Sequence, residues 1–146
     1  MRPACRQAGV RYQTSMIMVL RKDIETREDI EKMLRSFYNL VLNDDELRFI
    51  FIDVAHMNLE AHLPVITDFW ETILLDNPVY KKNAMQVHYD LNKKVKLLPQ
   101  HFEKWLLHFN NNIDEMFAGK TAELAKTRAK GIAMLMQHKM QEANKI

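Results

Sequence analysis

Long stretches of helical spacing, almost uninterrupted by glycine or proline, set the main limit on what this chain can fold into. From Thr26 to Asn43, and again from Pro99 to Ala118, apolar residues recur every three or four positions, the signature of one face of a helix. The 146 residues include only three glycines and four prolines, too few for an all-β protein that turns about every ten residues. The expected class is therefore all-α. A chain of this length makes one domain and can bury a real core, with a cofactor inside it.

Charge and cysteine content then exclude several functions. Acids and bases are interspersed and the net charge is +2. No basic stripe alternates with aromatics, so nothing supports nucleic-acid binding. No apolar run approaches the roughly 20 residues of a membrane span. Cys5 is the only cysteine, which rules out an internal disulfide, a cysteine-based zinc site and a Cys-x-x-Cys-His attachment motif. A reducing cytoplasm fits best. Residues 1–23 read as an N-terminal extension, expected to be disordered, and residues 24–146 as the domain. The first twenty residues carry Arg2, Arg6 and Arg11 with no acid, a character shared with organelle transit peptides. Their apolar run Met16–Leu20 is too short for a secretory signal, and no small-residue cleavage site follows it. Met16 and Met18 would both serve as later starts.

Along the domain, Thr26 with Asp29 three residues on forms a weak capping box. Ile30, Met33, Leu34, Phe37, Tyr38 and Val41 then share one face until Asn43-Asp44-Asp45 breaks the helix. The segment ELRFIFIDV resembles a strand, but a lone strand has no partner, so it is read as helical or irregular. Asn58 is expected to cap a helix reaching about Leu75, with His62, Ile66, Phe69, Trp70 and Ile73 on or beside one face. Pro64 inside it cannot donate to an earlier carbonyl, which implies a kink or a late start. NPVYKKNAMQV is read as a short helix on a basic, solvated face leading to His88, and LNKKVKLL as a loop or frayed turn. Pro99 at a first helical position opens a long helix with Phe102, Trp105, Leu106, Phe109, Ile113 and Met116 inward, ended by Gly119. The last helix, from about Thr121 to Met140, is expected to bury Leu124, Ile132, Leu135 and Met136.

Three polar groups stand out on these apolar faces: Tyr38, His62 and Trp105, each on a different helix. A buried tyrosine or tryptophan needs a partner for its O–H or N–H. Singly, each is a core residue with its tip at the surface. Together they describe a mostly apolar pocket with a few convergent donors. The same faces would also build a cofactor-free α-helical interaction module. A di-iron carboxylate bundle would need Glu-x-x-His pairs, which the main helices lack.

In order, the chain presents Phe37-Tyr38 in SFYNLV, Phe51, His62 in EAHLPVITDFW, Trp70, His88 in VHYDL and Trp105 in HFEKWLLHF. This ordered set resembles a truncated haemoglobin of the group III branch, over roughly Ile24 to Met140. Pro64 and the Lys-rich stretch Lys93–Lys96 depart from the pattern. The resemblance implies a two-over-two helical sandwich holding haem b, with His88 as the iron's protein ligand. A neutral imidazole is the usual globin choice, and its other ring nitrogen would donate to a backbone carbonyl one turn earlier, near Ala84. Tyr38, His62 and Trp105 would face the sixth position, Phe51 would pack on the porphyrin, and Trp70 would support the distal helix. Phe37, Ile66, Phe69, Met85, Val87, Leu91 and Phe109 would complete the walls. One or two of Lys81, Lys82, Lys93, Lys94 and Lys96 would meet the haem propionates, the rest being solvated. His56, His101, His108 and His138 read as solvated or structural. The implied ligand is dioxygen or another small gas, and redox chemistry on it would call for a reductase or other electron donor.

Overall fold

The computed structural model describes residues 21–145, which form helices and connecting loops. Helix α1 (Arg27–Leu42) starts as its sequence requires. The Thr26 hydroxyl accepts the N–H of Asp29 at 3.1 Å, and the Asp29 carboxylate accepts the N–H of Thr26 at 3.1 Å. All six residues expected on its inner face are buried. Helix α2 (Asp45–Arg48), capped by Asp44, runs directly into a π-helical turn, Phe49–Val54. There the N–H of Ala55 reaches the carbonyl of Ile50, five residues back, at 2.9 Å. ELRFIFIDV is thus helical.

Helix α3 (Leu59–Leu74) lies at 105° to that preceding segment. Asn58 caps it through the N–H groups of Glu60 and Ala61. The helix is continuous from Leu59 through Pro64, so its regular part does not start late. Helices α4 (Ala84–Lys94), α5 (Pro99–Met116) and α6 (Lys120–Asn144) follow.

Three boundaries differ from the sequence reading. Pro78–Lys82 is not helical, because the Thr72 hydroxyl captures the N–H groups of Val79 and Tyr80 at 3.2 and 3.0 Å; Asn83 then caps α4. Leu91–Lys94, read as loop, is instead the last turn of α4. Gly119 does not end α5, which stops at Met116; it precedes α6 with φ of 143°. A side chain there would collide with Asp23, whose carboxylate accepts the N–H groups of Thr121 and Ala122 at 2.9 and 2.8 Å. Burial pushes the Asp23 carboxyl up, but these donors and the N–H of Ile24 outweigh it and hold it below its ordinary value. The expected N-terminal extension lies outside the described residues up to position 20.

Helix α1 packs chiefly on α3, α5 on α6, and α1 also crosses onto α5, giving the two-over-two sandwich. Buried Asn112 joins α1 to α5, accepting from the Ser36 hydroxyl at 2.7 Å and donating to the Met33 carbonyl at 2.8 Å. Arg27 joins α1 to α3 through Asp68 and Glu71, both at 2.7 Å. The inner face of α6 is not the expected leucine stripe. Ala122, Ala125, Ala129 and Ala133 are buried with Met136, whereas Leu124 and Ile132 are half-buried and Leu135 is half-exposed. Among the described residues no single helix is long and apolar enough to cross a membrane.

Candidate functional site

Between α3 and α4, roofed by the π-turn and closed by α5 and α6, lies a cavity of about 650 Å³. Tyr38, Phe51, His62, Ile66, Phe69, Trp70, Val87, His88, Leu91 and Trp105 all line it. Side chains from four helices and the π-turn, expected separately from their sequence positions, thus meet in one space.

Phe37 and Phe109 do not line the cavity; they lie beneath it, at 1% and 0% exposure. The Phe37 ring meets Tyr38, Trp105 and Phe109 edge-on at 5.0, 5.6 and 5.2 Å. Phe109 stacks under Trp70 at 4.9 Å and Trp105 at 5.5 Å. Edge-to-face and offset contacts at these distances are each worth about 0.5–1.5 kcal/mol beyond burial. The two phenylalanines form a rigid floor that aims Tyr38 and Trp105. Phe51 in turn reaches Tyr38 at 5.9 Å, placed there by the π-turn, a distortion often found at functional sites.

Neither the Tyr38 hydroxyl, the Trp105 indole N–H nor the His62 ring hydrogen-bonds to protein among the described residues. Burial raises the Tyr38 phenol well above its ordinary value, so it remains an O–H donor. Desolvation, with the nearby His88 ring, lowers His62 below the usual imidazole value, so it faces the cavity as a neutral ring.

Across the cavity, His88 sits on α4. Its Nδ1 lies 2.7 Å from the carbonyl oxygen of Ala84. A carbonyl only accepts, so Nδ1 carries the proton and the lone pair of the neutral ring is on Nε2. This is the bond expected from the sequence. Ala84, Val87 and Leu91 share the cavity face of α4 with His88. Met85 does not: it packs into a satellite cluster with Ile50, Leu97 and Met140.

No protein-family model matches the chain, and no curated protein matches it. Among solved structures it is similar to a group III truncated haemoglobin from Campylobacter jejuni. The TM-score is 0.73 and 23% of residues are identical, over 83% of this chain and 95% of that one. The fold is that of a truncated haemoglobin.

The truncated-haemoglobin fold also brings residues to the cavity that sequence reading had not selected. His56 and His101, which the sequence presents as solvated or structural, both line it. His56 arrives through a left-handed backbone at φ 52° just after the π-turn, for which the sequence carries no signal. His101 does have a structural task. Its Nδ1 accepts the N–H of Leu98 at 2.9 Å, closing a cap on α5, and Nε2 lies 3.3 Å from Glu46. Leu47 and Ile50 come from the segment that read as strand-like, and Ile132, Ala133 and Met136 from the alanine-faced side of α6. Tyr80 and Lys82 stand at the rim, Tyr80 held edge-on to Phe69 at 5.2 Å.

Proposed function

We propose that this chain is a haem b protein that binds dioxygen or another diatomic gas, with His88 as the protein ligand to iron. The observation that carries this reading is the pairing across one cavity: a histidine with Nδ1 committed to a carbonyl and Nε2 available, opposite three donors without protein partners. The truncated-haemoglobin fold supports it.

The residues fit such a group. A volume of about 650 Å³ falls within the range of about 300–1,000 Å³ usual for cofactor sites. Ile66, Phe69, Val87 and Leu91 give apolar walls, and Lys82 places a cation at the rim for an anionic carboxylate. Among the described residues no three His, Cys, Asp or Glu side chains converge to hold a bare metal ion. A metal at His88 would therefore bring its remaining ligands with it. Haem, when bound, would supply an iron able to take a small gas.

The protein's part is to hold, orient and shield. His88 would hold the iron through Nε2, its ring orientation set by the Ala84 carbonyl. Tyr38 and Trp105, aimed by Phe37 and Phe109, would donate toward a partly charged ligand, and His62 would add a neutral ring beside them. So many donors favour slow release, which suits redox chemistry on the gas, such as nitric oxide dioxygenation or peroxide handling, or sensing, over bulk transport. The cytoplasm remains the compartment this reading favours. An absorption spectrum of the purified chain tests it. Haem gives an intense band near the violet edge that shifts with carbon monoxide; a colourless protein that takes up no added haem would instead be a cofactor-free interaction module.

A further inference from the structure

We propose that the lysines around α4 form a docking surface for an acidic electron-carrier protein. The inference rests on the haem reading and adds to it the partner that delivers electrons. Between Asn77 and Leu98 the chain has five lysines, Lys81, Lys82, Lys93, Lys94 and Lys96, and one acid, Asp90. All five lysines are exposed, and none forms an ion pair among the described residues. From Arg21 to Asp76 the balance reverses, with thirteen acids to six bases. Charge is unevenly spread along the chain, and the stretch that carries His88 has a clear positive excess.

Local stability explains only part of this cluster. Lys93 and Lys94 occupy the last turn of α4, where a cation suits the helix dipole. Lys81 and Lys82 precede the first turn, where a cation opposes it. They serve something beyond the helix. The eleven-residue helix is roughly 16 Å long, so the cations sit at its two ends, and at one end Lys82 lines the cavity. That patch suits the small interfaces of redox encounters. A nucleic acid would want exposed aromatics to stack its bases, but Tyr80 packs on Phe69 and Tyr89 into the satellite cluster. An acidic protein steered onto this helix would bring its redox centre close to the haem. One electron leaves the donor's reduced centre and takes the iron from ferric to ferrous, with no atom transferred.

A photoreduced, acidic plant-type [2Fe–2S] ferredoxin is the probe. The second-order rate of haem reduction should fall at least about tenfold at low ionic strength in K93E/K94E/K96E, in line with the roughly 10- to 1,000-fold range of electrostatic steering. The difference should vanish near 1 M salt, where the Debye length is about 3 Å. K93Q/K94Q/K96Q should show a smaller loss, should the reversed charges disturb α4. Reversal at exposed Lys120, Arg128 and Lys130 should leave the rate unchanged. Independently, amide shifts of the wild-type chain on adding oxidised ferredoxin should concentrate at residues 81–96. Rates indifferent to the α4 substitutions, equal losses at both sites, or shifts elsewhere overturn the docking surface while leaving the haem reading intact. So does retention on DNA or anionic phospholipid vesicles without any ferredoxin response. A wild-type chain that takes up no haem overturns both.

Discussion

On the wall that carries Tyr38 and Trp105, each helix is anchored by deeply buried residues: Phe37 and Met33 on α1, Leu63 and Trp70 on α3, Phe109 and Ile113 on α5. On the opposite wall, α4 buries only Asn92. Its side chains turn instead to the cavity and to the satellite cluster of Ile50, Leu97 and Met140. The ring-on-ring floor holds the donors in one geometry, because close-packed interiors respond stiffly to displacement. Helix α4, held by the satellite cluster and a few polar links with only Asn92 buried, is expected to open before the rest of the domain. One wall would orient a bound ligand; the other, under the proposed function, would part to admit the cofactor.

The sharpest way to break this contrast is at His88. His88→Gly should abolish stable haem retention while the helical fold persists, because α4 contributes little to the core. Added imidazole should restore binding and the axial-ligand spectrum. A variant that keeps haem as firmly as wild type, with unchanged spectra, would show that His88 is not the ligand.

Phe37→Ala should produce the largest loss of global stability, about 3–5 kcal/mol, read as a lower denaturant midpoint. It removes a ring that is 1% exposed and touches three other aromatics. A loss below about 1 kcal/mol would mean that the floor is not what fixes the donor wall.

Tyr38→Phe deletes one donor at nearly constant volume. A hydrogen bond to a partly charged ligand is worth about 1.5–3 kcal/mol, so dioxygen should dissociate roughly ten to 150 times faster at about 1.4 kcal/mol per decade. Carbon monoxide, which carries little charge, should change less. Equal acceleration of both gases, or of neither, would remove Tyr38 as a donor and with it the slow-release reading.

The two walls also differ in how legible they are in sequence. Helix α1 declares itself through local signals: the reciprocal Thr26–Asp29 cap and six apolar residues at helical spacing, all buried. Tyr38, His62 and Trp105 converge because helices of 16 to 18 residues carry them, whereas His88 comes on the shorter α4. The start of α4 is not legible locally because the Thr72 hydroxyl, from another helix, captures Val79 and Tyr80, and its last turn is tied by Asn92 to Asn144 of α6 and to Leu97. Met85 was expected in the cavity, but at about 100° per residue it falls well off the face centred on Ala84, Val87, His88 and Leu91. An alanine stripe carries a weak apolar signal beside leucine, yet on α6 the alanines are buried and Leu135 is 50% exposed. Nothing local encodes the π-turn that delivers Phe51 and His56.

Asn92 and Asn112 allow a matched comparison of the two walls. Each is a buried amide joining two segments: Asn92 donates to Asn144 and accepts the N–H of Leu97, both at 2.8 Å, as Asn112 does between α1 and α5. Replacing either by alanine orphans buried partners at a cost of about 1–3 kcal/mol. For Asn112→Ala that cost should appear in global unfolding, because α1 and α5 do not separate without it. For Asn92→Ala it should appear as faster amide hydrogen exchange, roughly five- to 150-fold at about 1.4 kcal/mol per decade, confined to residues 84–97, with the global midpoint little moved. Asn92→Asp keeps an acceptor for Leu97 but loses the donor to Asn144 and puts a charge at a buried site, so exchange there should also be faster than in wild type. If Asn92→Ala instead lowers the global midpoint as far as Asn112→Ala does, α4 unfolds only with the rest of the domain, and the picture of one fixed wall and one that parts is wrong.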